Sequence, residues 1–160
     1  MFYTQEFLLE TFFYEPSSGF LYWKSTGKRA GSLKYKKNGE PNCRRVTINK
    51  VGCKEHHVIW CMVYGYWPEF IVDHADGDPF CNKILNIRPA TKSQNGFNKK
   101  VRCDSSSGLK GVQLRRGRWV ARIKGDGKRL HLGSFDTKEA AHAAYCAAAR
   151  KLHGRFARFS

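Results

Sequence analysis

Hydrophobic positions follow different periods along this chain, and each period predicts a different element. In "RWVARIK" Trp119, Ala121 and Ile123 alternate with Arg118, Arg122 and Lys124, the period of two of a half-buried strand. "KGVQL" and "KRLHLGSF" lie on either side of it, joined by "RRG" and the turn "GDG", so three short strands are predicted. In the third, Leu130 and Leu132 oppose Arg129 and His131. "DTKEAAHAAYCAAARKLHG" then reads as a helix, with Asp136 as its start, Glu139 three residues on and Gly154 beyond its end. Its many alanines favour helix and let it lie close to a sheet. One helix on the apolar face leaves the opposite face as a cationic plane.

Upstream the pattern is less regular. "FFYEPSSGFLYW" places two aromatic runs around a Pro-Ser-Ser-Gly cluster, a hairpin signal, and "RRVTINKVGC" repeats the idea with Asn-Lys and Gly. "EHHVIWCMVY" is too apolar for a surface helix and is closed by Gly65 and Pro68, so a buried helix is expected. "NKILNIR" predicts a short strand, in which Asn82 and Asn86 flank an apolar pair, and "PATKSQN" a helix start with Thr91 as N-cap and Gln94 three later. The fold class expected is α+β.

Charge changes this from a fold to a partner. The formal net charge is +16, with 29 Lys plus Arg against 13 Asp plus Glu. A polyanion is the implied partner, and nucleic acid is the usual one. The charge is uneven: residues 106–160 carry +10 and residues 1–105 carry +6. "KKVRCDSSSGLK" has linker composition, so we expect domains at 1–104 and 105–160, with the boundary near 104–107. No run approaches a membrane span, and the polar N-terminus is not read as a signal peptide, so an intracellular protein without a membrane partner is expected. The six cysteines contain no C-x-x-C pair, and no structural zinc is expected.

Against this basic background Asp73, Asp76 and Asp78 crowd around His74 in "VDHADGD". Asp76-Gly77-Asp78 fits a tight turn. Asp73-His74 has no such ready explanation.

On the face that carries Gln113, Arg115, Arg118, Arg122, Lys124, Arg129 and His131 no acid is expected, whereas solvated sheet faces usually mix signs. "KGVQLRRGRWVARIKGDGKRLHLGSFDTKEAAHAAYCAAARKLHGRFARF" resembles the Apetala-type, or ethylene-response-factor, DNA-binding domain over residues 107–159. That resemblance implies a three-stranded antiparallel sheet, packed on one helix and laid in the major groove of double-stranded DNA. Lys110, Gln113, Arg115, Arg118, Arg122, Lys124 and Arg129 would then face DNA, with His131 beside them. The loop before Gly117 is one residue shorter than in plant members, Arg122 stands where they tend to carry Glu, and His131 where they carry Trp. Their target sequence therefore does not transfer.

The upstream part resembles the HNH nucleases, and more closely the small phage HNH homing endonucleases. The elements are Asp73-His74, Asn86 and Asn95, with "Y.P.SG.LYW" at Tyr14–Trp23, "H.VIW" at His56–Trp60 and "GYWPE" at Gly65–Glu69. The resemblance spans roughly residues 10–100 and implies a ββα-metal core at about 70–100. It implies His74 as general base, Asp73 and Asn95 as ligands of one divalent metal, and Asn86 as the residue that holds the loop. Hard cations prefer such oxygen donors, so magnesium is expected and manganese is the alternative. The third letter of the motif is Asn95 rather than His, an H-N-N variant, with Asn98 as a substitute one helical turn on. His56 either contacts phosphate or packs. The activity implied is a metal-dependent, strand-nicking DNA endonuclease acting in the cytoplasm of a bacterial host, as a monomer, with no small-molecule substrate. The alternative is a non-catalytic DNA-binding protein with a decayed HNH scaffold. RNA binding lacks aromatics at stacking spacing.

Overall fold

The structure is a computed structural model that describes residues 3–101, 105–125 and 127–160. Two compact units divide at Thr91/Lys92. Part of the expected linker, residues 102–104, lies outside the described residues, as does Asp126 of the "GDG" turn.

The first unit opens with helix α1 (Gln5–Thr11), capped by the Thr4 hydroxyl, which accepts from Phe7 N. Strands β1 (Phe12–Glu15) and β2 (Phe20–Trp23) form the antiparallel hairpin expected around Pro16–Gly19. Strand β3 (Ser32–Tyr35) joins β4 (Pro41–Ile48) and β5 (Val51–Lys54) in a second sheet. The Asn49-Lys50 turn supplies two residues at positive φ. All four residues of β3 are exposed, so the alternation of Leu33 and Tyr35 with Ser32 and Lys34 does not mark a buried face.

Helix α2 (Glu55–Tyr64) is the buried helix expected from "EHHVIWCMVY" and ends at Gly65 in the left-handed conformation. Val58, Ile59, Trp60 and Cys61 pack with Leu8, Phe12, Leu21, Val46, Val72 and Ile87 in one core. Its first residue, Glu55, is fully buried and pairs with buried Arg44 at 2.9 Å. Removing one partner of such a pair costs about 3–5 kcal/mol, because the other charge stays buried.

Strands β6 (Ile71–His74) and β7 (Ile87–Ala90) pair antiparallel, with Asp73 opposite Arg88 and His74 opposite Ile87. The strand expected over "NKILNIR" therefore begins only at Ile87. Leu85 is 98% exposed, so the apolar residues ahead of Asn86 do not supply a buried strand face, and they form a turn.

The second unit begins with helix α3 (Lys92–Phe97), which starts directly after Thr91 as expected. Strands β8 (Val112–Arg115), β9 (Arg118–Gly125) and β10 (Lys128–Phe135) form an antiparallel sheet of order β10-β9-β8. Helix α4 (Lys138–His153) covers it through Ala141, Tyr145 and Ala149 against Val112, Ala121 and Ile123. Its N-cap is Thr137, whose hydroxyl accepts from Ala140 N at 3.2 Å, and not Asp136. Asp136 instead pairs with Arg118 at 3.0 Å. Gly154 follows the last helical residue, as expected.

Candidate active site and nucleic-acid interface

The end of β6 carries the acid and imidazole that the sequence singled out. Asp73 and His74 are both buried, at 4% and 8% exposure. One carboxylate oxygen of Asp73, Oδ2, accepts from Arg88 Nε at 3.0 Å and from Nη2 at 2.9 Å. His74 Nε2 lies 2.9 Å from Asn82 Oδ1. The ring of His56 meets that of His74 edge-on, with centroids 5.1 Å apart.

Asn86 acts on the loop between β6 and β7. Its Nδ2 donates to Cys81 O at 2.8 Å and to Asp76 Oδ1 at 3.0 Å, while its Oδ1 accepts from Asp76 N at 3.1 Å. Its backbone carbonyl accepts from Ala75 N at 2.8 Å. The two Asp side chains of "DGD" are spent locally: Asp76 Oδ1 accepts from Asp78 N and Asp78 Oδ1 from Phe80 N. That is the tight turn expected, with Gly77 at φ 73°.

His56 is 5% exposed. Burial first, and then charge interaction with His74, His57 and Lys54, holds its pKa down to about 2, so it is neutral. A buried neutral imidazole is compatible with packing against His74. His142 and His153 bond the backbone carbonyls of Phe159 and Lys124, so both are structural.

Asn95 sits half-buried on α3, and Asn98 lies buried just past that helix. Both belong to the second unit, with Arg158 Nη1 donating to Asn98 O at 3.5 Å. Among the described residues no three His, Cys, Asp or Glu side chains gather into a ligand set.

On the C-terminal sheet, cross-strand pairing brings the basic side chains to one face. Arg115 pairs with Arg118, Arg122 with His131 and Lys124 with Arg129, and directly opposed residues share a side. Gln113, Arg115, Arg118, Lys124, Arg129 and His131 are exposed, and Arg122 is partly so. The face is not free of acid, because Asp136 comes to Arg118 from beyond the strand end. A bulge between His131 and Gly133 breaks the alternation of β10, and Leu130 is left 42% exposed. Lys110 departs from its expected place: its ammonium donates to Phe97 O and Lys99 O, and it stands before β8 rather than on it. Two of the three ammonium protons of Lys110 are thus engaged within the second unit.

The chain is 33% identical to Protein 3.8 of Escherichia phage T7 over 109 residues, which is 66% of this chain and 89% of that protein. The HNH endonuclease family model matches residues 53–97.

The chain belongs to the HNH endonuclease family.

The matched stretch holds α2, β6, the Asn86 loop, β7 and α3, the elements that carry His56, Asp73, His74, Asn86 and Asn95. In this HNH protein a second family, the AP2 domain, matches residues 107–155, the sheet and most of α4. The Dehydration-responsive element-binding protein 2D of Arabidopsis thaliana is 50% identical over 54 residues, 32% of this chain and 26% of that protein. The chain thus spans about a quarter of that relative. An HNH domain is followed by an AP2 DNA-binding domain. No helix among the described residues is long and apolar enough to cross a membrane.

Sequence reasoning missed Arg88 and Asn82 as neighbours of the site. Arg88 was legible in principle, as the cation that ends the strand expected over "NKILNIR". Asn82 was visible only as an Asn flanking an apolar pair.

Proposed function

We propose that the protein is a metal-dependent DNA endonuclease that nicks one strand at a time and is targeted by its C-terminal sheet. The observation that carries this reading is the arrangement at the end of β6: a buried acid and a buried imidazole at consecutive positions, ahead of a loop that Asn86 staples at three points. His74 takes the proton from the attacking water, a role suited to an imidazole near neutral pH. Asp73, and Asn95 by the order of the motif, would hold one divalent cation, with magnesium first and manganese second. Bound there, a hard cation supplies charge stabilisation at the phosphate and the leaving oxygen. Asn86 keeps the His74 loop in shape and touches no reacting atom. Arg88 neutralises Asp73 and orients its carboxylate along β6. Gln113, Arg115, Arg118, Arg122, Lys124, Arg129 and His131 are the proposed DNA-facing set of a monomer acting in the cytoplasm of a phage-infected cell. Domain limits at 1–104 and 105–160 describe the two functions, although α3 packs with the second unit.

A second reading has one observation in its favour. The Asp73 carboxylate already holds a guanidinium, as it would in an HNH scaffold retained only for structure. Supercoiled plasmid separates the two. Wild-type protein with magnesium should give nicked circles, chelator should stop the reaction, and His74→Ala should lose nicking while binding DNA normally. Plasmid left intact by the wild-type protein in both magnesium and manganese would favour the scaffold.

A further inference from the structure

Tyr14 and Gly19 belong to the "Y.P.SG.LYW" stretch and lie outside residues 53–97, which the HNH family model matches. Both nevertheless reach the loop between β6 and β7. Tyr14 stands opposite Leu21 in the β1–β2 hairpin and two residues after Phe12, so the three side chains share a face. Phe12 and Leu21 are buried in the core, and Tyr14 packs against the same cluster. Its ring therefore has a fixed base.

From that base the Tyr14 hydroxyl donates to Asn82 O at 3.2 Å and accepts from Ile84 N at 2.8 Å. Burial raises the phenol pKa, so the oxygen keeps the proton that it donates. One hydroxyl thus spans the turn at 82–84. Gly19 brings the tip of the hairpin against the same turn: a Cβ there would stand 2.5 Å from Lys83 N and 2.8 Å from Asn82 C. Its φ of 77° favours glycine as well.

The turn leads to the candidate site at two points. Lys83 O accepts from Asn86 N at 2.8 Å and from Ile87 N at 3.2 Å, where β7 begins. Asn86 is the residue that staples the loop after His74. Asn82, whose carbonyl the tyrosine holds, places its Oδ1 2.9 Å from His74 Nε2. A shift of the turn would disturb both contacts.

We propose that Tyr14 is a positioning residue of the nuclease site: its hydroxyl, with the close approach of Gly19, locks the turn at 82–84 and through it Asn86 and His74. A catalytic group must be held to about 0.5 Å, and a loop needs support from a rigid element to do so. The inference rests on the reading of His74 as the base, but the clamp can be observed without any catalysis.

The experiment combines amide hydrogen exchange of the full chain, read by nitrogen-15 NMR, with plasmid nicking. The wild-type Ile84 amide donates to the Tyr14 hydroxyl, so it should be protected although it lies in a turn. Tyr14→Phe keeps the ring and removes the hydroxyl. Exchange at Ile84 should then accelerate roughly 10-fold, with the amides of α4 unchanged. Its kcat should fall by roughly 10-fold or more with KM little changed, the usual scale for losing an orienting partner. A tyrosine that merely stabilised the fold would leave the kcat of the folded protein intact. Gly19→Ala, which keeps the hydroxyl, should show the same two effects, and Tyr22→Phe, on the opposite face of the hairpin, neither. A wild-type Ile84 amide that exchanges as fast as open chain would overturn the proposal, and that result needs no variant to fold. So would a folded Tyr14→Phe protein with the wild-type kcat. Protection that depends on Tyr14 in a protein that nicks nothing would uphold the clamp and remove the nuclease reading instead.

Discussion

His56 shows what burial does to a single titratable group. Unfolded, it binds a proton below about pH 6.5; folded, it resists protonation down to about 2, chiefly because its charge would be stripped of water. Between those values the unfolded chain holds more protons, so stability rises with pH and is lost as pH falls. For one such group the slope is about 1.4 kcal/mol per pH unit. From pH 7 to pH 5 this amounts to about 2 kcal/mol, counted from the unfolded pKa downward. His57, lowered to about 4 by burial and then Lys54, acts in the same direction but is more exposed. Urea midpoints at pH 7 and pH 5 should therefore differ strongly in wild type and less in His56→Phe. Equal differences in the two proteins would show that His56 is not the acid-sensitive group.

Helix α3 shows how an element acquires neighbours that its motif does not announce. Six residues make too short a helix to be stable alone. Within its unit, Phe97 stacks on His153 with centroids 3.7 Å apart, and the Lys110 ammonium holds Phe97 O and Lys99 O. A cation at the C-terminal end also meets the negative end of the helix dipole. Burial holds the Lys110 pKa down to about 8, with Arg158 adding to the effect. Lys110→Met should expose α3: hydrogen exchange at residues 96–99 is expected to accelerate about 10-fold or more, for loss of charge-assisted bonds worth about 1.5–3 kcal/mol. Unchanged protection in the variant would mean that the stacked rings alone secure the helix. Deleting residues 106–160 removes both Lys110 and His153, so the same amides should lose protection in the truncated protein.

For the whole molecule the relevant quantity is the +10 carried by residues 106–160. Phosphate contacts release counterions together, so affinity for any DNA should fall steeply with salt. Base contacts add a part that salt does not supply, and arginine is the residue best suited to guanine. Arg115 and Arg118 face the same side as a cross-strand pair, with Arg118 also tied to Asp136. Arg115→Ala combined with Arg118→Ala should weaken binding to a selected site by about 1–3 kcal/mol more than binding to random DNA. Gel-shift titrations on both DNAs across a salt series check this. Equal losses on the two would make the sheet a backbone grip, with sequence choice lying elsewhere.

Local periodicity and composition determined much of this protein by themselves. The alternation in "RWVARIK", the alanine-rich helix after it, the buried run in "EHHVIWCMVY" and the turn at Asp76–Asp78 each follow from short-range rules, so all four elements were legible. Asp73, His74 and Asn86 could be named from the sequence as candidates, because chemistry selects residue types at fixed spacing. Tertiary structure decided what depended on distant partners. β3 exists through its pairing with β4 and has no inward face of its own. Asp136 left the helix cap to Thr137 because Arg118 lay within reach. Lys110 turned from the sheet to α3, and Asn82 became the partner of His74, since each buried or half-buried polar group settles where its hydrogen bonds can be satisfied. The side-chain partners among these lie eight residues or more away along the chain, beyond the range of any local period.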